Sequence, residues 1–524
     1  MTKTDKTLPY LLPSIADMLF LSIFLYLSFS AGKGLLNDAD TGYHIRAGEY
    51  ILNTLSIPRT DIFSFISPPI PWTAHEWLSE VIMALVHNAF GLTGVVLFFA
   101  FLIALTYFLL FKITRNCSGN IFPAILVAIL VIGSSQIHWL ARPHIFSLIL
   151  MLVWYHILDL FQYGEKNRLW LLPLLMVLWV NLHGGYITGF ILLGIYFIGN
   201  LVQAVTAESD NKEPFRKKYR AFALITAACL VAALANPFGY HILLFPFNLV
   251  GNSYLMDHVS EFISPNFHEP LPFKYLIFLM IAVFAFSREK LNIIELVLVL
   301  FFTNMALYSA RYIPLFAIIT APIIMRQGGM VLNGIQNNFT NLLRKKGEGI
   351  ALLDASCRGF AWPVAGLLAV AVFAGNGTLK YTFDPKMKPV AAVEFLKKER
   401  ISGNMFNNDE FGDYIIYAAW PEYRVFFDGR SDMYGVGRMK EYYRIMTCEP
   451  GWEKTLDKYR ISWVIFDARS TLSRFLLKDG NWHLVYADKL SNIFVRNAPE
   501  YRSLTSKYPN VIPVPQDEKD NSGH

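Results

Sequence analysis

Charge is scarce in this chain of 524 residues: Asp, Glu, Lys and Arg make up 16% of it, against roughly a quarter in an ordinary soluble domain. That shortage argues against a solvated globule of this length. Cysteine is scarce too. Cys117, Cys229, Cys357 and Cys448 lie far apart with no C-x-x-C pair, which removes zinc ribbons and a disulfide framework. Walker loops, dinucleotide fingerprints, nucleophile elbows and heptads are missing, and with them the chemistries those motifs support. His75-Glu76-Trp77-Leu78-Ser79 has serine where the H-E-x-x-H zinc helix needs its second histidine, so metal hydrolysis loses its simplest motif.

Apolar surface is abundant. Hydrophobic residues form 54% of the chain, with 42 Phe and 11 Trp, and the mean hydropathy is +0.37. Such a composition excludes disorder and low complexity and points to the bilayer as solvent. Eleven apolar stretches approach the roughly 20 residues that cross a hydrocarbon core of about 30 Å: 14–32, 93–111, 121–137, 145–161, 169–181, 186–205, 222–236, 273–286, 291–308, 313–325 and 360–375. The first resembles a secretory signal, with Ser28-Phe29-Ser30-Ala31-Gly32 at its end. Its apolar run starts near Leu8 and is long for a signal core, so an uncleaved helix is expected.

With the N-terminus in the cytoplasm, the basic residues fall on one side. Lys3, Lys6, Lys112, Arg115, Lys166, Arg168, the cluster 212–220, Arg288, Lys290, Arg326 and 344–346 are inside, and only Arg142, Lys274 and Arg311 occupy the short outer loops. The positive-inside rule gives this orientation. The net charge of +6, from 46 Lys and Arg against 40 Asp and Glu, therefore records topology, and no nucleic-acid partner is expected. The expected fold class is a polytopic α-helical membrane protein of about 11 transmembrane helices with a C-terminal extracytoplasmic mixed α/β domain. Residues 1–375 form the transmembrane domain with a long first outer loop, 33–91. Residues 376–500, with a helix candidate at 390–398 and strand-like runs at 404–407, 424–427, 463–466, 483–486 and 493–495, form the outer domain. Residues 501–524 are expected to be a disordered tail.

Polar groups near a bilayer are costly unless they are paired, wet or functional. At the outer ends of the spans stand Asp38, Asp40, Arg142, His144, Asn181, His183, Asn236, Glu261, His268 and Arg311, with His44, His75 and Glu76 in the first outer loop. An extended Asp38-Ala39-Asp40 would point both carboxylates to one side, fit to hold a divalent cation such as Mg or Mn or to serve as base and orienting partner. The alternative is that Asp40 caps an interfacial helix over 42–54. Arg142 and Arg311 suit a phosphate, since a guanidinium stays charged and offers a planar fork of donors, although snorkelling at a helix end explains each alone. His183 lies before Gly184-Gly185, where another group can approach the backbone. His75 and Glu76 line a site or sit in a segment anchored at the interface by Trp72 and Trp77. In Phe427-Asp428-Gly429-Arg430-Ser431-Asp432-Met433-Tyr434 the economical reading is a turn with Asp428 and Arg430 paired locally.

A polytopic chain with acidic residues in a long first outer loop and an outer C-terminal domain resembles the GT-C superfamily of integral membrane glycosyltransferases. The stretches 40–49 (DTGYHIRAGE), 71–80 (PWTAHEWLSE), Arg142-Pro143-His144 and Asp428-Gly429-Arg430 look like those of a bacterial polytopic membrane group placed near it, over nearly the whole chain. What the resemblance implies is transfer of a sugar from a polyprenyl-phosphate-linked donor to a glycan, lipid or protein acceptor at the periplasmic face of a bacterial inner membrane, in cell-envelope glycan assembly. Asp40, or Asp38, would act on the acceptor hydroxyl, and Arg142 or Arg311 would stabilise the departing phosphate. His44, His75, Glu76, His144, His183 and Asn236 would line the substrate site, with a divalent cation at Asp38 and Asp40 permitted by the spacing. The competing functions are a lipid-linked saccharide flippase, which would want polar groups at the bilayer midplane and an inverted repeat, and a non-catalytic envelope assembly protein.

Overall fold

The computed structural model describes residues 11–514 other than 165, 209–211, 252, 259, 336, 358 and 360. Lys3, Lys6 and the stretch of the expected tail from Gln516 onward lie outside the described residues. The chain divides into two compact units: Met1–Gly32 with Thr93–Lys380, and Lys33–Leu92 with Tyr381–His524. The first outer loop thus folds together with the C-terminal region.

The first unit is built of helices. Ser14 starts Ile15–Tyr26 with a capping box, its hydroxyl accepting the Asp17 N–H while the Asp17 carboxylate accepts the Ser14 N–H, which satisfies two helix-end donors at once. Asn292 and Glu295 do the same for Ile293–Tyr308. Six stretches among the described residues are long and apolar enough to cross a membrane: Ile15–Leu36, Trp77–Cys117, Ile121–His138, His144–Tyr163, Gly184–Thr206 and Ala310–Gly334. A seventh arises if Asn338–Ser356 and Ala361–Gly375, bent by 66°, count as one. Leu171–Leu182, Pro272–Phe286 and Ile293–Tyr308 are apolar but short; the first has 12 residues and reaches only about 18 Å at the helical rise. Trp77–Ser118 is broken at Gly91, with φ 62° and ψ −164°.

The helices of this unit interlock through aromatic rings, as where Trp154 meets Trp179 edge-on at 5.7 Å between centroids. In lipid such contacts hold helices by dispersion, since no water is released. Arg326 ties three helices together, reaching Asp159 at 2.9 Å and Glu295 at 3.0 Å.

The second unit carries a four-stranded sheet in the order β1-β2-β4-β3. β1 (Asn404–Asn407) runs parallel to β2 (Ile461–Asp467), which pairs antiparallel with β4 (Ser491–Arg496), itself antiparallel to β3 (Trp482–Ala487). Trp463, Val464, Ile465, Ile493, Phe494 and Val495 are sealed in its core. The expected strand over 424–427 does not join this sheet; Val425 instead bridges Ser64 of the first outer loop. The tail expectation also shifts. Pro499–Tyr501 and Arg502–Lys507 are helical, because Tyr501 is buried and donates its hydroxyl to the Ser402 carbonyl at 2.6 Å.

Candidate active site

The helix Asp40–Thr54 is one element of the second unit, and Asp38 caps it: Asp38 Oδ1 accepts the Asp40 N–H at 2.9 Å. A carboxylate at a helix start satisfies an orphan donor and meets the positive end of the dipole. The chain is therefore not extended here, and capping falls to Asp38 instead of Asp40. Asp40 sits buried in the first turn. Gly42 lets this helix approach Asp409–Ala419 closely, since a Cβ there would run into the Asp413 carbonyl and Tyr417. That approach brings Asp413 beside Asp40. Gly429 lies against both, so that a Cβ on it would collide with the Asp40 carboxylate and press on Asp413 Oδ2. The Gly429 N–H donates to the two Asp413 oxygens at 3.1 and 3.2 Å. Burial, then the neighbouring charges of Asp40 and Asp428, push the Asp413 carboxyl well above the usual range.

Adjoining in sequence is a second charged group. Arg430 grips Asp428 through Nε at 2.8 Å and Nη2 at 2.6 Å, and Nη2 also reaches Asp61 at 2.8 Å. Its guanidinium lies 4.6 Å from the Trp72 ring centre and 4.8 Å from that of Phe63, a cation–π enclosure that excludes water. Tyr434 donates to Asp428 at 2.8 Å. Burial opposes ionisation of Asp61, but the Arg430 charge and the hydrogen bonds from Ser64 and Phe63 outweigh it and hold the carboxyl below its ordinary range. The local Asp428–Arg430 pairing expected from sequence is present and extends to Asp61.

His44, buried one turn into the same helix, lies 3.3 Å from Glu80 Oε1 and 3.8 Å from Glu76 Oε2. His75 Nε2 is 3.8 Å from Glu76 Oε1. Glu80 Oε2 and Arg430 Nη1 are buried without a hydrogen-bond partner among the described residues. One can only accept and the other only donate when ionised, a combination suited to a hydroxyl or a water. A divalent cation on Asp38 and Asp40 fits this arrangement poorly: Asp38 Oδ1 is taken by the Asp40 amide, and among the described residues no group of three or more His, Cys, Asp or Glu is placed to hold a metal ion.

The remaining expected residues belong to the first unit. Arg142 and Arg311 converge on Glu261: Arg142 Nη1 hydrogen-bonds Oε1 and Arg311 Nη1 stands 3.5 Å from Oε2. Burial would raise the Glu261 carboxyl, but the two guanidinium charges dominate and hold it down at about 2. Two cations on one anion leave a positive surplus. His144 Nε2 is 2.9 Å from the His138 carbonyl. His183 Nδ1 accepts the Gly185 N–H at 2.9 Å and lies 2.7 Å from Ser147 Oγ, which also accepts from the Trp179 indole. Asn236 donates to Val180 O at 3.0 Å and to Asn181 Oδ1 at 3.2 Å, and accepts the Phe238 N–H, so its amide ties loop to helix end.

Asp413, Asp61 and Glu80 join the expected residues without having been singled out from sequence. The signal for Asp413 was available: it falls among Phe411, Tyr414, Ile415 and Ile416 on the buried arc of its helix. A lone carboxylate within an apolar stripe needs a partner or a role.

Neither a protein-family model nor a curated protein sequence matches the chain. Solved structures do match. The archaeal oligosaccharyltransferase AglB from Archaeoglobus fulgidus, in complex with an inhibitory peptide and a dolichol-phosphate, superposes with a TM-score of 0.53 at 12% identity, covering 89% of this chain and 70% of that one. ArnT from Cupriavidus metallidurans bound to undecaprenyl phosphate gives 0.49 at 12% identity over 92% of this chain and 98% of its own. The fold of this chain is thus shared with a membrane oligosaccharyltransferase, which agrees, at the level of fold, with its resemblance to the GT-C superfamily.

Proposed function

We propose that the chain is a GT-C-type glycosyltransferase of the bacterial inner membrane, with eleven crossings, its N-terminus in the cytoplasm and its second unit in the periplasm. It transfers a sugar, with inversion, from a polyprenyl-phosphate-linked donor to a glycan, lipid or protein acceptor in envelope glycan assembly. The observation that carries this reading is the buried Asp40 carboxylate at the head of its helix, beside Asp413 and Gly429. The shared fold with an oligosaccharyltransferase solved with dolichol-phosphate supports it.

In the transfer, Asp40 takes the proton of the acceptor hydroxyl as that oxygen bonds to the anomeric carbon. The bond from that carbon to the phosphate oxygen breaks, and its electron pair leaves with the polyprenyl phosphate. Asp413, its pKa raised, carries a proton more readily than an ordinary aspartate, which relieves repulsion and lets Asp40 remain the charged partner. Asp38 keeps Asp40 in place through the helix start. Arg142 or Arg311 is the candidate to stabilise the departing phosphate, since a guanidinium stays charged and offers a planar fork of donors. His44, His75 and Glu76 address the sugar hydroxyls, and His144, His183 and Asn236 shape the donor's surroundings.

Asp40→Asn keeps the shape and removes the base, so transfer from the lipid-linked donor should fall by about 10²- to 10⁴-fold at normal expression. Unchanged transfer in both Asp40→Asn and Asp38→Asn would sink the assignment. Mass analysis of polyprenyl-linked intermediates accumulating in a deletion strain names the donor.

A further inference from the structure

The second unit contains a groove of about 450 Å³ that none of the roles above uses. It runs beside β1, at the edge of the sheet, and its walls include Phe65, Arg400, Asn404, Glu422 and Arg424. Its size is within the range of ligand clefts. Arg400 and Arg424 come from separate segments, are both exposed, and neither side chain is hydrogen-bonded or ion-paired among the described residues. In the groups at Arg326, Arg430 and Glu261, by contrast, the guanidiniums are paired with carboxylates.

The groove also shares both walls with the charged group at Arg430. Phe65 N–H donates to Val425 O at 3.3 Å and Val425 N–H to Phe63 O at 3.1 Å. Along those same two segments, Asp61 meets Arg430 at 2.8 Å. Four residues separate Phe65 from Asp61 and Arg424 from Asp428, a span of at most about 14 Å of extended chain.

We propose that this groove binds an acidic glycan, the acceptor of the transfer or a segment of it. The inference rests on the transferase reading for the word acceptor and on the groove alone for the ligand class. Two guanidinium forks recognise carboxylate or phosphate substituents. Glu422 accepts sugar hydroxyls, and Phe65 offers an apolar face to a sugar ring. An acidic peptide suits the site less well. A peptide would bind an edge by strand addition, which needs a regular edge, whereas β1 has four residues and an irregular register between Asn404 and Met405.

The test is calorimetric titration of the full chain in lipid nanodiscs with tetragalacturonate, a phosphorylated mannan oligosaccharide, neutral maltotetraose and tetraglutamate. At least one of the acidic glycans should bind, and whichever does identifies the anion, while maltotetraose and tetraglutamate should not. The double variant Arg400→Gln, Arg424→Gln should weaken that binding by at least about tenfold, the loss expected for a charge-assisted hydrogen bond. Arg400→Lys with Arg424→Lys should retain most of it. Unaltered melting of both double variants shows that the fold is intact. The proposal is overturned if neither acidic glycan binds, if the glutamine pair leaves binding unchanged, or if tetraglutamate binds as tightly. Because the readout involves no transfer, the groove and the transferase reading can fail separately.

Discussion

One charged group in each unit, that at Glu261 in the first and that at Arg430 in the second, holds charge in the opposite proportion to the other. In the first, two guanidiniums share one carboxylate, and the side chains of Arg142, Glu261 and Arg311 remain 14%, 24% and 25% exposed. In the second, two carboxylates share one guanidinium, and Arg430, Asp61 and Asp428 are only 2%, 1% and 0% exposed. The open group is part-exposed and sets two guanidiniums against the Glu261 carboxylate. The sealed group has two carboxylates against one guanidinium. A dry, closed group is costly to break and can only hold the fold, whereas a group that takes a ligand needs a way in. By that criterion Arg430 is a structural keystone, and the Arg142–Glu261–Arg311 group is the one with access to solvent.

Substituting the keystone should cost most. Arg430→Met leaves Asp61 and Asp428 buried without their cation, a change worth about 3 to 5 kcal/mol of stability. A large drop in Tm, or failure to accumulate folded protein, is expected. Arg311→Met should cost no more than about 1 kcal/mol, because its pair is long and wet. Equal losses would break the contrast between the units.

The pH dependence sharpens it, since the two kinds of group titrate in opposite directions. Glu261 is held down at about 2, so its contribution is present above the ordinary glutamate range and is lost as pH falls from about 4.5 toward 2, on the order of 3 kcal/mol in all. Asp413 is raised, so its contribution is present below the ordinary aspartate range and is lost as pH rises through the folded pKa. Tm measured across this range should lose its acid-side slope in Glu261→Gln. Asp413→Asn, which mimics the protonated acid, should instead flatten the slope on the alkaline side of about 4. A single slope removed by both variants would mean that the two groups do not act independently.

Much of this was legible in the sequence, for physical reasons that vary by element. The runs over 404–407, 463–466, 483–486 and 493–495 all lie in strands, because short runs rich in β-branched and aromatic residues mark a strand without outside help. The run over 424–427 has the same composition and stays out of the sheet, since its partner is Ser64, hundreds of positions away. The helix after Asp40 was readable from its cap, yet which of the two aspartates does the capping depends on Ala39 adopting a helical backbone, which composition does not dictate. Asp38, Asp40, His44, His75 and Glu76 were found because polar residues are conspicuous in an apolar chain. Asp61 and Asp413 escaped notice because their partners are distant in sequence: Arg430 reaches Asp61 across 369 positions, and Asp413, although it stands in an apolar stripe, meets Asp40 only through the close approach at Gly42 and Gly429. The pairing of Arg142 with Arg311 through Glu261 was likewise out of reach, as it closes a loop of more than 160 positions.

The smallest expected effect is also the most discriminating. Arg311→Lys preserves the charge but replaces a planar fork with a single compact ammonium. If the open group only anchors a helix end, a lysine can snorkel as well as an arginine, and neither stability nor kinetics should change. If it receives the phosphate of the lipid-linked donor, Tm should stay within about 0.5 kcal/mol of the parent, as for most exposed substitutions, while kcat/KM for the donor falls several-fold through the loss of a bidentate contact. The split between KM and kcat then locates the contact. A rise in KM alone means that Arg311 holds the phosphate equally before and during departure; an equal fall in kcat and kcat/KM means that it engages mainly as the charge develops. Asp61→Asn offers the matched control in the sealed group, where no donor contact is proposed and any kinetic change should follow the loss of stability.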